Sequence, residues 1–171
     1  MMRFAMSCLV VGAFFGAALW SGAAPPQGAK KDAINKDLEK LEGTWTIVSM
    51  ESKTHKIPEA DLKEMQLTIK GNQWAMTHAR GLDKASIRID PTKDPKTIDL
   101  IFSSLGAMGS TFKLAPGRKI TSRGIYKLEY KEGEGDTLTL CRVDDPRVKR
   151  PKEFKTSERA GMVLVFRRRN N

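Results

Sequence analysis

Apolar and polar positions change period twice along this chain, and each change marks a different kind of segment. An unbroken apolar or small run without charge covers 4–20. Over 32–42 the apolar residues Ile34, Leu38 and Leu41 recur at intervals of four and three among charges, the stripe of a short amphipathic helix, with Asp32 in the place of a cap. Beyond it the period falls to two, as in half-buried strands. Alternation predicts strands over 45–50, 65–69, 73–78, 86–90, 97–102, 124–130, 137–143 and 162–167, with a brief helical turn at 58–64. Gly71-Asn72 fits a tight hairpin between the second and third strands, and Gly133 and Gly135 bracket a turn before the seventh. The stretch 103–118 is rich in Gly and Ser and weakly patterned, the composition of a movable cover.

Eight short strands with local connections predict a mainly β fold, an eight-stranded antiparallel up-and-down barrel behind a short N-terminal helix. Closure removes the sheet's edges, and eight strands leave room for side chains or one small ligand. Alternation assigns Met50, Leu67, Ile69, Trp74, Met76, His78, Ile98, Leu100, Tyr126, Leu128 and Leu138 to the inward face.

The first apolar run has a different destiny. Arg3 precedes it and Ser21-Gly22-Ala23 follows it, so 1–23 reads as a signal peptide cut after Ala23. The expectation is export to the periplasm or the extracellular space, a Pro/Gly/Lys-rich leader over 24–31, one domain over 32–171, and no transmembrane segment in the mature chain. Cleavage removes Cys8 and leaves Cys141 alone, which rules out an internal disulfide and cysteine-rich zinc sites.

Charge adds one feature. The formal net charge of the chain is +10, and ten Lys or Arg stand against four Asp or Glu between Arg142 and Arg169. Such a run is a solvated face or a docking face for an anionic envelope polymer or lipid, with Arg147, Lys149, Arg150, Lys152 and Lys155 its members. Nucleic acid is not an expected partner, because no aromatics interleave with the charges as a single-strand stacking platform requires.

Chemistry is sparse. The mature chain has two histidines, His55 and His78, and no His-Glu-x-x-His, nucleophile elbow or phosphate loop. No catalytic residue, metal or cofactor is assigned, and the chain is not expected to be an enzyme. An enzymatic use of His78 with a nearby carboxylate is the least favoured reading. Cys141, on the strand face opposite Leu138 and Leu140, reads as a packed side chain.

Leu41-Glu42-Gly43-Thr44-Trp45 places Gly-x-Trp at the start of the first strand, after a helix, and so resembles the lipocalin signature. That resemblance implies that Trp45 closes one barrel end beneath a basic residue near the last strand, here Arg167 or Arg168. The wider pattern adds Asp94-Pro95-Lys96 with Ile98-Asp99, Gly124-Ile125-Tyr126, Asp136 to Cys141, and Arg150-Pro151 with Phe154. In this the chain is similar to a family of uncharacterised exported planctomycete proteins with a lipocalin-like domain, which implies a fold and no activity. It departs from many lipocalins in ending just after the last strand, without their long C-terminal helix. Fold and lining together suggest a small hydrophobic ligand between Trp74, Met76, His78 and Tyr126, entering beneath 103–118.

Overall fold

A computed structural model describes residues 27–52, 57–79, 81–104, 119–131, 135–156 and 161–169. The expected signal peptide and nearly all of the expected cover over 103–118 lie outside the described residues. Helix α1 (Gln27–Leu41) runs into β1 (Gly43–Ser52), and a single-turn helix α2 (Glu59–Leu62) precedes β2 (Gln66–Lys70). There follow β3 (Gln73–His78), β4 (Gly81–Asp90), β5 (Thr97–Ser104), β6 (Ile120–Lys131), β7 (Gly135–Val143) and β8 (Met162–Arg168). The strands pair antiparallel in sequence order, and β8 returns to β1, so the barrel is closed. This is the eight-stranded up-and-down architecture that the alternation predicted.

Packing follows the period of two. β4 buries Asp83, Ala85, Ile87 and Ile89 on one face, while β3 buries Trp74, Met76 and His78. The inward residues form one continuous core from Trp45 to Phe166. All eleven expected inward residues belong to it or pack against it except His78, which is buried but polar.

Up-and-down order fixes the two ends. The α1 end holds the start of β1, the β2–β3 hairpin, the end of β4 and the end of β8. The opposite end holds His78, the start of β4 and the end of β5, and α2 covers part of it with Leu62 in the core.

The strands run longer than alternation alone suggested, and three expectations need correction. β4 starts at Gly81 rather than 86, and β6 at Ile120 rather than 124. The leader expected over 24–31 is helical from Gln27, and Asp32 therefore lies inside α1 instead of capping it. The reason is tertiary. Lys30 donates a 2.9 Å hydrogen bond to Asp90 at the end of β4, which pins the first turn to the barrel. Thr92 and Lys30 together hold the Asp90 carboxyl down at about 2.

A strap over 144–156 crosses the outside of β5, β6 and β7. Outward-facing Ile125, Cys141 and Val143 are buried there, forming a second apolar layer apart from the barrel core. Arg150 fixes the strap by donating to the carbonyls of Ile98 (2.9 Å) and Gly124 (2.7 Å) and to Asp99 (2.7 Å). Gly124 is required where β6 meets β7, because a Cβ there would lie 2.6 Å from the Cys141 carbonyl oxygen.

Candidate functional site

The α1 end is closed by Trp45. Its indole N–H donates to the Leu41 carbonyl at 3.0 Å, and its ring is fully buried. The Arg168 guanidinium lies 4.2 Å from the ring centroid. Its Nε donates to Asp136 at 2.6 Å, and its two terminal nitrogens donate to the Glu42 and Lys40 carbonyls at the end of α1. Of the two basic residues proposed for this place, Arg168 occupies it, while the exposed Arg167 points away on the alternate parity of β8. Gly43 is needed twice over. Its φ of 127° suits glycine, and a Cβ would approach the Arg168 Nη1 to 2.7 Å.

A second network ties α1 to the barrel wall. Lys96 and the Tyr126 hydroxyl both donate to Asp37 Oδ2, each at 2.7 Å. Burial alone would push the Asp37 carboxyl up, but these two hydrogen bonds and the Lys96 charge outweigh it and hold the carboxyl below its ordinary value. Burial, and then the Asp37 carboxylate, push the Tyr126 phenol well above its usual range. The sequence reading missed Asp37. Its signal was available: Asp37 stands three residues after Ile34 and four before Leu41, inside the apolar stripe where a charge needs a partner.

The proposed ligand contacts are therefore divided. Trp74, Met76 and His78 share the inward face of β3. Tyr126 is also inward, yet its hydroxyl is bound to Asp37 at the α1 end, whereas His78 sits at the opposite end. Tyr126 thus supports the helix, and its polar tip does not converge with that of His78.

The β3 face carries the chemistry that remains. The Trp74 indole packs edge-on against Phe166, with centroids 5.8 Å apart. Its Nε1 is buried and has no hydrogen-bond partner among the described residues. A buried N–H of this kind calls for an acceptor. His78 Nε2 lies 3.5 Å from Asp83 Oδ1, with both side chains at most 5% exposed. Asp83 is the second residue the sequence reading missed. Carrying the Ile87, Ile89 alternation back by two steps of two places it inward.

Other chemistry is absent from this face. Among the described residues no group of three His, Cys, Asp or Glu side chains could hold a metal. No described helix is long and apolar enough to cross a membrane. The Cys141 Sγ–H is covered by the strap and donates to the Lys155 carbonyl at 3.6 Å; burial pushes its thiol up, away from nucleophilic character.

Clefts of about 420 Å³ flank the strap, one lined by Val143, Lys149 and Lys155 among others, the second by Lys93, Pro95 and Ile125. Both share Arg150, Pro151 and Lys152 and open on the outer surface. Smaller clefts lie beside Arg142 and between β1 and α2. None of these four enters the barrel. Comparison of the chain with protein-family models, with curated proteins and with solved structures finds no match.

Proposed function

We propose that this is an exported, non-catalytic binding module whose barrel takes one small, mostly apolar molecule bearing a hydrogen-bond acceptor. The observation that carries the reading is the Trp74 Nε1, a buried donor without a partner among the described residues. An acceptor on the ligand would satisfy it, and Met76 and His78 would line the same strand face toward the end opposite α1. Two features favour accommodation there. Met76 adapts its shape readily, and Ala85, the cross-strand neighbour of Trp74, is the smallest buried residue of β4. The resemblance to lipocalins supports the same reading by analogy of fold. The apolar run over 4–20 and the small residues after it support release into the periplasm or outside the cell.

Native mass spectrometry of protein purified from its own host tests the reading directly. A single added mass, lost in Trp74→Phe protein that melts like wild type, is the expected result. Wild-type protein without an added mass, together with no calorimetric heat on titration with fatty acids, isoprenoids or small aromatic acids, would count against it.

A further inference from the structure

Most cations around the strap are already paired. Arg150 bonds to Asp99, Arg147 to Asp145, Arg142 to Asp144, Lys155 to Glu153 and Lys127 to Glu129. Lys93, Lys149 and Lys152 differ. Each is exposed and none has an acidic partner among the described residues. All three line the two clefts beside the strap, and Lys152 lines both. The three unpaired lysines thus border two hollows that adjoin at Pro151-Lys152, the second of which Asp94 also lines.

The surface beneath them is held firmly. Arg150 makes three hydrogen bonds into β5 and β6, Arg123 donates to the Pro146 and Val148 carbonyls, and Cys141 donates to the Lys155 carbonyl. Cations carried on an anchored strap lose less freedom on binding than cations on a loose tail. The +10 charge of the chain adds long-range attraction for a polyanion.

We propose that these clefts form one binding surface for an acidic polysaccharide with a carboxylate on each sugar, lying across Lys149, Lys152 and Lys93. Three features select that partner. Among the described residues the linings carry no aromatic side chain on which bases would stack, which disfavours single-stranded nucleic acid. Among the described residues the exposed large apolar side chains are Leu82 and Tyr130, on β4 and β6 and outside both linings, so no apolar anchor accompanies the lysines, as membrane docking would want. Two adjoining concave clefts with charges along their rims suit an extended chain better than a flat lipid surface. The surface is independent of the barrel interior.

The test is binding of polygalacturonate to the mature protein at low and physiological salt, beside vesicles of phosphatidylglycerol in phosphatidylcholine and a thymidine oligonucleotide. The variant K93A/K149A/K152A is compared with the charge-matched K63A/K70A/K84A, whose lysines are exposed and line neither cleft. Because all six side chains are exposed and unpaired among the described residues, both variants should keep the wild-type melting temperature. The expected result is salt-sensitive binding of polygalacturonate, weakened about tenfold or more in the first variant and little changed in the second. Equal losses in the two variants would reduce the effect to net charge and overturn the proposal. So would tighter binding of vesicles or oligonucleotide, or no binding of polygalacturonate at low salt.

Discussion

Replacing Arg168 by lysine keeps the charge but removes the planar fork, and the closed end of the barrel should weaken sharply. The guanidinium makes a charge-assisted bond to Asp136, two bonds to the carbonyls that end α1, and a cation–π contact with Trp45. The side chains of Arg168 and Asp136 are 23% and 28% exposed, so their bond belongs at the low end of the range for charged groups, about 1 kcal/mol. Two carbonyl bonds add about 0.5–1 kcal/mol each, and loss of stacking adds about 0.5 kcal/mol. The sum is about 2.5–3.5 kcal/mol, since an ammonium cannot reproduce this geometry. For a chain of this size that is a fall in Tm of about 5–14 °C. Urea unfolding followed by tryptophan fluorescence measures it. A double-mutant cycle sharpens the test. Gly43→Ala incurs both a φ penalty at 127° and a clash with Arg168 Nη1, and only the second vanishes in the Arg168→Lys background. The two changes should therefore couple by about 1 kcal/mol. An Arg168→Lys protein within about 0.5 kcal/mol of wild type, or strict additivity with Gly43→Ala, would refute the reasoning.

Other expectations follow from the strap and the helix. Asp37 has its pKa lowered in the folded protein, so its contribution is present above the unfolded value near 3.8 and is lost as pH falls through the lower folded value. Hydrogen exchange over 27–41 should accelerate in that acid window, and Asp37→Asn should already show loosened α1 at neutral pH with little further change on acidification. Cys141 should resist a thiol reagent in the native protein. Arg150→Ala, which leaves Asp99 and two carbonyls without their donor, should lower stability by about 2–3 kcal/mol and raise the labelling rate well before global unfolding. Unchanged labelling would mean that the strap does not depend on Arg150.

The barrel was legible because its signals are local. Alternation within each strand, turn residues between them and short connections point to one closed sheet, and the Gly43-x-Trp45 pattern located its plugged end. The strand extensions were less legible because 81–85 mixes Leu82, Asp83 and Ala85, and 120–123 carries Thr121, Ser122 and Arg123 after a single apolar residue, Ile120. Their pairing is settled by the neighbouring strands. Pairings between distant residues were not readable at all. Asp37 meets Tyr126 across a separation of 89 residues, and Arg150 meets Ile98 across 52. Arg150 is the clearest instance. In the sequence it is one cation in a basic run, and in the fold it is the peg that holds that run to the barrel. The same distance effect divided the candidate site, because parity places Tyr126 inward with His78 but does not say at which end its hydroxyl finds a partner.

The central claim is that the Trp74 N–H awaits an acceptor, and the chain carries its own control. The Trp45 indole N–H is already bonded to the Leu41 carbonyl, so the two indoles should respond differently to the same ligand. In a ¹H–¹⁵N spectrum of the protein, assigned with Trp74→Phe, titration with a ligand found by native mass spectrometry should move the Trp74 indole resonance saturably while that of Trp45 stays in place. A Trp74 resonance that does not move while the ligand binds, or two indoles that move together, would contradict the account.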